Sequence, residues 1–490
     1  MKPSMRSRQA REGQALLYAG VRTLFEPGTA GASSENIVDS DALVLYFPAP
    51  KTVTGEDVLE LHIHGGAATV KAVLAAIAKC PSSSKIRYAE PGEFTRRAFL
   101  NGRLDLAQVE SLGDTLAAET EHQRRAAVRG TSGILGKTYD SWREQLLLAR
   151  GEIEALIDFS EDQHFDESPT ELLSNVTRMV EEMLRSIKMH KLASQRSELL
   201  RNGIRIALLG PPNAGKSSLM NQIVGREASI VSSEAGTTRD IVEASLDIRG
   251  YLCSFADTAG IRTKDSESVN DSDTSPIGAI EEEGIRRARQ KALDSDIIVV
   301  LASVEPAKSG GHRISYDVET LRLAAQAEQC MVVINKSDVV DPDTLNSLVE
   351  EFKATALTSV EGLRGKEVLT ISCKAAASQA PGSTDPGNIH GLTEKLAQSF
   401  SALTSVPDGM QHLLGVTARQ NQLLSECEQH LLDFMMEAQH PEMEGEPDVV
   451  LAAEHLRLAA LRLAAITGRG ESGDVEEVLG VIFEKFCVGK

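Results

Sequence analysis

The run Gly210-Pro211-Pro212-Asn213-Ala214-Gly215-Lys216-Ser217 joins a glycine-rich turn to a lysine and a hydroxyl. Backbone N–H groups of such a turn converge on an anion, and the positive end of the following helix dipole adds to them. Lys216 can reach the outer phosphates of a nucleoside triphosphate. The Ser217 hydroxyl can bind the Mg2+ that bridges those phosphates. Asn213, Ala214, Gly215 and Ser218 complete the cradle. The flanks agree with this reading, since Ile204–Leu209 reads as a strand before the turn and Ser218–Val224 as a helix after it.

Three further motifs follow in order. Asp257-Thr258-Ala259-Gly260 comes after the strand-like YLCSFA and supplies a carboxylate on the Mg2+ side and a glycine amide for the γ-phosphate. Asn335-Lys336-Ser337-Asp338, after the strand Met331–Ile334, chooses the base. Guanine presents N1–H and N2–H side by side, and the Asp338 carboxylate can accept both. Adenine lacks that pair and would leave a buried acceptor unpaired. Ser372-Cys373-Lys374, after VLTI, offers a backbone contact to the guanine carbonyl. Between the first two motifs lies Gly236-Thr237-Thr238-Arg239-Asp240, whose threonines can close over Mg2+ and the γ-phosphate. Together these motifs imply a GTP-hydrolysing domain. Ras-like enzymes follow the second motif with a glutamine that orients water. Ile261 stands here instead and cannot hydrogen-bond, so either the domain is a slow switch or another residue positions the water.

A chain of 490 residues must position these groups, a length that fits about three domains. Apolar residues make up 41%, which excludes wholesale disorder, and no run of about 18 apolar residues exists to span a membrane. Lys+Arg number 51 against 71 Asp+Glu, so the net charge of −20 excludes a protein held to nucleic acid by bulk charge alone. A local basic patch is still allowed. The six cysteines, Cys80, Cys253, Cys330, Cys373, Cys427 and Cys487, include no closely spaced pair, which points to a reduced compartment.

Residues 1–103 read as α+β, with an apolar run at 40–50, an alternating strand Val58–His64 and a helix Ala67–Ile77. From about Leu104 the period becomes helical, with Leu146, Leu147, Ala149, Ile153, Leu156 and Ile157 on one stripe. Residues 104–200 form a first helical half and 401–490 a second, which includes AAEHLRLAALRLAA. The α/β segment 201–400 between them reads as an insertion into one helical domain. Ser266–Pro276 and Ala380–Asn388 are polar or Pro/Gly/Ser-rich and read as loops. The fold class expected is therefore α/β plus α.

With these motifs in place, the chain resembles the MnmE/TrmE family of tRNA uridine-modification GTPases. The residues that carry the likeness are TGEDVLELHIHGG (54–66), PGEFTRRAFLNGRLDLAQVE (91–110), the four nucleotide motifs, GTTRD (236–240) and the terminal FCVGK (486–490). The resemblance implies an N-terminal folate-binding domain that dimerises, a discontinuous helical domain and an inserted Ras-like P-loop domain. It implies joint action with an MnmG-like, FAD-containing partner on tRNA. The product would be a carboxymethylaminomethyl-type group on carbon 5 of the wobble uridine, with a tetrahydrofolate derivative supplying the one-carbon unit. The family's folate contacts fall on Glu60, Arg103 and Lys490, and lysine is common in the family where Arg103 stands. Its catalytic glutamate falls on Glu281, beside Glu282 and Glu283, after an apparent insertion at Thr263–Pro276. Its hydrolysis is stimulated by K+, here placed at Asn213 with oxygens of Ser232, Glu234 and Thr237, while Ser217 and Thr238 serve Mg2+. The family's opening strand finds no counterpart, which reads as a late start of the chain. The rival reading is a ribosome-assembly or signalling GTPase switch without modification chemistry, which would not need the folate-domain motifs.

Several residues carry two readings. His62 and His64 could hold a metal or simply pack. Cys487 could be a nucleophile near the folate or a structural thiol, and Trp142 reads as core. Lys2, Arg6, Arg8 and Arg11 precede the first acid and, with the switch-region insertion, favour the mitochondrial matrix over a bacterial-type cytoplasm.

Base reading by Asp338 is directly testable. Asp338→Asn should weaken GTP and improve binding of xanthosine nucleotides, because xanthine puts a carbonyl where guanine has its amino group. Nucleotide titrations that show unchanged GTP affinity would refute the assignment.

Overall fold

The computed structural model describes residues 18–28, 34–83, 85–159, 169–226, 228–232, 245–256, 289–290, 292–307, 310–378, 385, 387–438 and 448–469. The chain divides into two compact units, one from 1–113, 130–188 and 419–490, the other from 114–129 and 189–418.

The first unit opens with three antiparallel strands in chain order, β1 (Tyr18–Phe25), β2 (Ile37–Phe47) and β3 (Val58–His62). Sequence reasoning missed β1, although Pro27-Gly28 marks the turn after it, and placed the end of β3 two residues too late. The strand stops at His62 because the next turn is pulled inward. The backbone N–H of His64 donates to Asp39 at 2.8 Å, and its Nδ1 lies 3.0 Å from the same buried carboxylate. These contacts, the His64 amide first, hold the Asp39 carboxyl below its ordinary range. Helix α1 (Ala67–Ala78) follows Gly66, as the change of period predicts, and α2 (Glu93–Leu100) begins at the PGEF motif.

Helices α3 (Leu106–Ala117), α4 (Glu121–Gly130), α5 (Ile134–Phe159) and α6 (Pro169–Asn202) come next. After the nucleotide segment the chain returns with α12 (Ala418–Ala438) and α13 (Val449–Thr467). Helix α13 lies against α5, and Ala452, Leu456, Ala459 and Leu463 form a buried stripe along it. Alanines on that stripe let the two backbones approach. On α5, Leu146, Ala149 and Ile153 are buried as predicted, but Leu147 turns outward with Leu148, which is 70% exposed. One residue on a helix is about 100° of rotation, so Leu146 and Leu147 cannot both face the core. Trp142 is only half-buried and meets the fully buried Tyr139 edge-on at 5.6 Å, so Tyr139 takes the core position expected of the tryptophan. Arg419 ties the helices together. It donates to Glu110 on α3 and to the carbonyls of Ala465 and Ile466, both at 3.0 Å, in the last turn of α13. Those carbonyls have no partner within their own helix, and a cation is the favoured group there.

The second unit is an eight-stranded sheet. Its strands are β4 (Ile204–Leu209), β5 (Ala228–Ser232), β6 (Ser245–Ile248), β7 (Tyr251–Ala256), β8 (Ile297–Pro306), β9 (His312–Ser315), β10 (Gln329–Asn335) and β11 (Val368–Thr370). The order is β11-β10-β8-β4-β7-β6-β5, with β9 paired to β8. Pairing is parallel from β11 to β7 and antiparallel from β7 to β5. Helices α7 (Lys216–Arg226), α8 (Val318–Ala324), α9 (Pro342–Phe352), α10 (Cys373–Ala377) and α11 (Ile389–Thr404) complete it. Strand β8 is buried on both faces, as a central parallel strand must be. Val299 and Leu301 join a core with Phe400 of α11, while Ile298 and Val300 join a second core with Phe352 of α9. Every nucleotide motif follows the carboxyl end of a parallel strand, where open α/β sheets place their ligands. Among the described residues no helix is long and apolar enough to cross a membrane.

Candidate functional site

The phosphate turn leaves β4 at Gly210 and enters α7 at Lys216. Its bends are set by backbone angles that side chains resist. Gly215 has φ +99°, and Asn213, at φ +63°, uses the left-handed region that asparagine tolerates best. A methyl group on Gly210 would stand 2.1 Å from the carbonyl oxygen of Leu301, and one on Gly215 would stand 2.2 Å from Nδ2 of Asn335. Both positions are therefore closed to any other residue. Ala214 is fully buried beneath the turn. Lys216 Nζ donates to the carbonyls of Gly210 at 2.6 Å and Pro211 at 3.0 Å, which stretch the ammonium along the loop. Its partial burial pushes the pKa down from the ordinary lysine value, a cost that an anionic partner would reverse. Ser217 and Ser218 are exposed at the amino end of α7, where a phosphate-bound Mg2+ could be reached.

The base-reading motifs sit beside this turn. Asn335, at the end of β10, is buried and spans the site. Its Nδ2 donates to the Ala214 carbonyl at 2.9 Å, and its Oδ1 accepts the Cys373 N–H at 3.2 Å. Lys336 adopts φ +62°, and its Nζ lies 3.3 Å from Glu305, which also accepts the Ser303 hydroxyl. Asp338 accepts a short hydrogen bond from the Ser372 hydroxyl, and the same Ser372 Oγ accepts the Ala375 N–H at 2.9 Å to cap α10. Burial raises the Cys373 thiol to about 11, so it is a neutral packing group at this place. The structure thus brings Asn213, Ala214, Gly215, Lys216, Asn335, Lys336, Asp338, Ser372, Cys373 and Lys374 into one unit at the same end of the sheet.

Sequence reasoning missed two roles. Ser372 was read only as a backbone contact, yet its side chain orients Asp338. Asn335 was read as part of the base contact, yet its side chain joins two loops 121 and 38 residues away. No local signal marks either role, because each depends on residues distant in sequence.

Asp257, Thr258, Ala259, Gly260, Ile261, Thr237, Thr238, Glu234 and Glu281 lie outside the described residues, as do Cys487 and Lys490. Ser232 ends β5.

In the first unit, the TGED turn and the NGR block meet. Asn101 Nδ2 donates to the Thr54 carbonyl at 2.8 Å, and Arg103 Nε donates to the Thr52 carbonyl at 2.9 Å. Thr52 and Thr54 are themselves buried, while the Arg103 residue remains exposed. Glu60 is exposed on β3, and its Oε2 lies 3.1 Å from His62 Nε2. Glu93 of the PGEF motif binds Arg87 through both oxygens, also receives the Glu90 N–H and Arg97, and is held at a pKa of about 2. His62 turns to Glu60 and His64 to Asp39, and no third ligand joins them among the described residues.

Two family profiles match this chain. One described as "MnmE helical domain" covers residues 106–487, and one described as "GTP-binding protein TrmE N-terminus" covers 5–103. A protein named tRNA modification GTPase MnmE from Rhodopseudomonas palustris (strain BisB18) is 39% identical over 450 residues, 92% of this chain and 86% of its own. A zebrafish (Danio rerio) protein named 5-taurinomethyluridine-[tRNA] synthase subunit GTPB3, mitochondrial, is 36% identical over 480 residues, 96% of this chain and 85% of its own. Among solved structures, the G domain of the T. maritima FeoB iron transporter aligns with 41% of this chain and 99% of its own at 18% identity, with a TM-score of 0.23.

The Ser372–Asp338 contact yields a measurable consequence. Ser372→Ala removes the hydroxyl that orients the carboxylate and the cap of α10. A hydrogen bond to a charged group contributes about 1.5–3 kcal/mol, and loss of part of it should weaken GTP binding by roughly 10-fold. Selectivity for GTP over ATP should fall as well. Equilibrium titration with a fluorescent guanine nucleotide checks this, and unaltered affinity would show that Asp338 needs no such support.

Proposed function

The chain belongs to the MnmE/TrmE family of tRNA modification GTPases, and from that premise we propose that it couples GTP hydrolysis to modification of carbon 5 of the wobble uridine in certain tRNAs. It acts with an MnmG-like, FAD-containing partner and installs a carboxymethylaminomethyl-type group. The zebrafish relative's name specifies a taurinomethyl group at the same carbon, which differs in the amine attached.

The observation that supports this reading over a simple GTPase switch is the locked pair of N-terminal motifs. Asn101 and Arg103 grip the carbonyls of Thr54 and Thr52 across a gap of about fifty residues in sequence. That contact fixes one edge of the Arg103 guanidinium and leaves its other N–H groups for a carboxylate. A tetrahydrofolate derivative carries such carboxylates, and Glu60 on β3 is an exposed acceptor suited to the pterin ring. Lys490 is assigned beside them by family likeness. The one-carbon unit is the chemistry that the folate supplies when bound.

Homodimerisation through the N-terminal sheet fits its surface. Tyr18, Tyr46 and Leu59 line up across β1, β2 and β3, and Leu59 is 60% exposed. Val21 and Leu43, three positions along, fall on the opposite face, and Val21 is 56% exposed. Apolar side chains exposed in such numbers on one small sheet are costly unless a partner covers them.

The four-part organisation proposed is an N-terminal domain (1–103), helical halves (104–200 and 401–490) and the inserted G domain (201–400). At the nucleotide, Lys216 stabilises charge on the outer phosphates, and Ser217, Thr238 and Asp257 hold Mg2+. Thr258, Ala259 and Gly260 complete the γ-phosphate contacts. Glu281 orients the attacking water that Ile261 cannot. K+ is held by Asn213, Ser232, Glu234 and Thr237, where a cation offsets developing charge as an arginine finger does. Asn213, exposed at the bend of the loop, is suited to this role. The mitochondrial matrix is the compartment proposed.

Two measurements test these assignments. Nucleosides of tRNA from cells lacking the protein should lose the C5-modified wobble uridine. Restoration should come from the intact chain and not from one lacking its last four residues, which still hydrolyses GTP. An unchanged nucleoside profile would remove the modification role. Turnover should also be faster in KCl than in NaCl at matched ionic strength. Equal rates, or an Asn213→Ala protein that keeps its potassium response, would count against the cation site.

A further inference from the structure

Helices α12 and α13 run antiparallel. Glu426 pairs with Arg462, and seven residues further along α12, Asp433 faces His455, seven residues back along α13. In this register His430 and Asp433, on one face of α12, meet His455 from α13. One nitrogen from each imidazole and a carboxylate oxygen all lie within 4.8 Å of one another. All three residues are half-buried. The rings are 6.3 Å apart and tilted by 33°, so they are not stacked. Nδ1 of His430 and Nδ1 of His455 are both shut off from solvent, and neither has a hydrogen-bond partner among the described residues. His455 Nδ1 is 4.0 Å from Asp433 Oδ2, beyond hydrogen-bond reach. Buried polar atoms are normally paired, and two unpaired imidazole nitrogens beside a carboxylate need a common partner.

We propose that His430, Asp433 and His455 form a transition-metal site, with Zn2+ as its representative occupant, that clamps α12 to α13. Two imidazoles and one carboxylate suit Zn2+ and its first-row neighbours, whereas Mg2+ and Ca2+ prefer all-oxygen sites. Ligand atoms of a tetrahedral zinc centre lie about 3.4 Å apart. The spacing of up to 4.8 Å exceeds this by about 1.4 Å, which metal binding would have to close. The surroundings favour coordination. Gln429 Nε2 donates to Asp433 Oδ1 at 2.9 Å and so leaves Oδ2 on the side of His455. The Arg462 guanidinium lies near His430. The Arg462 charge is itself offset by Glu426 at 3.4 Å. Three protein ligands leave one position for water. None of the three belongs to the nucleotide or folate residues, so the site is independent of those readings. Its effect is to stiffen the helical hairpin that precedes the terminal FCVGK.

The test uses the full chain, stripped with a chelator and titrated with Zn2+ alone, with Co2+ as a spectroscopic probe. Wild type should bind one Zn2+ per chain and unfold at a higher temperature. Co2+ should develop the visible bands of a low-coordinate nitrogen and oxygen site, and Mg2+ should do neither. His455→Ala and Asp433→Asn should each weaken Zn2+ by about 100-fold or more, since even outer contacts of metal sites contribute 10–100-fold. Both should keep GTP turnover and their metal-free circular dichroism. Wild type without saturable Zn2+ binding, or folded variants that bind as tightly and give the same Co2+ spectrum, would overturn the proposal. If His455→Ala fails to fold, Asp433→Asn, which keeps the side-chain shape, decides alone.

Discussion

The Asn335 side chain is the contact on which the nucleotide site depends. One amide group holds the Ala214 carbonyl beneath the phosphate turn and the Cys373 N–H at the start of α10. It is buried, so both of its hydrogen bonds are made out of water, where an unpaired partner is costly. The phosphate turn, the base-reading loop and the last guanine motif therefore hold a common geometry. Gly215 is part of the same constraint, because a Cβ there would occupy the space of the Asn335 amide nitrogen. From this hub the Asp338 carboxylate is oriented through Ser372, and α10 is capped by the same hydroxyl.

The first unit uses the same device in a different place. Two side chains of the NGR block, Asn101 and Arg103, satisfy carbonyls of the buried threonines in the TGED turn. Gly55 lies between them, where a Cβ would stand 2.6 Å from Cβ of Asn101. Each motif is a short segment outside helix and strand. Their union makes a rigid rim on which Arg103 is presented. Further along, Arg419 and Gln420 converge on Glu110 and so join α3 to α12, with Arg419 reaching the end of α13. Side chains satisfying backbone carbonyls or single buried carboxylates are thus the recurring means by which distant segments are fastened.

Much of this was legible in the sequence. The strands Ile204–Leu209 and Tyr251–Ala256 were read to the residue, and α1 and α7 within one or two, because apolar period, glycine and proline act locally. The phosphate and base motifs were legible for the same reason: the chemistry lies in consecutive residues. Other elements were not. Strand β1 pairs along its length with β2, a partner that its own residues do not announce. The end of β3 was misjudged because it is set by Asp39, 25 residues earlier. Leu147 and Trp142 were assigned inward, since hydrophobicity says that a residue can be buried but not which way its helix is turned.

What the sequence by itself determined, then, is the class of chemistry, a GTP-hydrolysing domain, and the family to which its motifs belong. Those follow from residue type and short spacing. Only the tertiary structure decided that Asn335 is a tie between loops, that Ser372 sets the angle of Asp338, and that His430, Asp433 and His455 stand together across two helices. The physical reason is range. A motif's backbone geometry is enforced by neighbours a few bonds away, whereas a side chain's partner is chosen by the packing of helices and strands that the chain brings together from far apart.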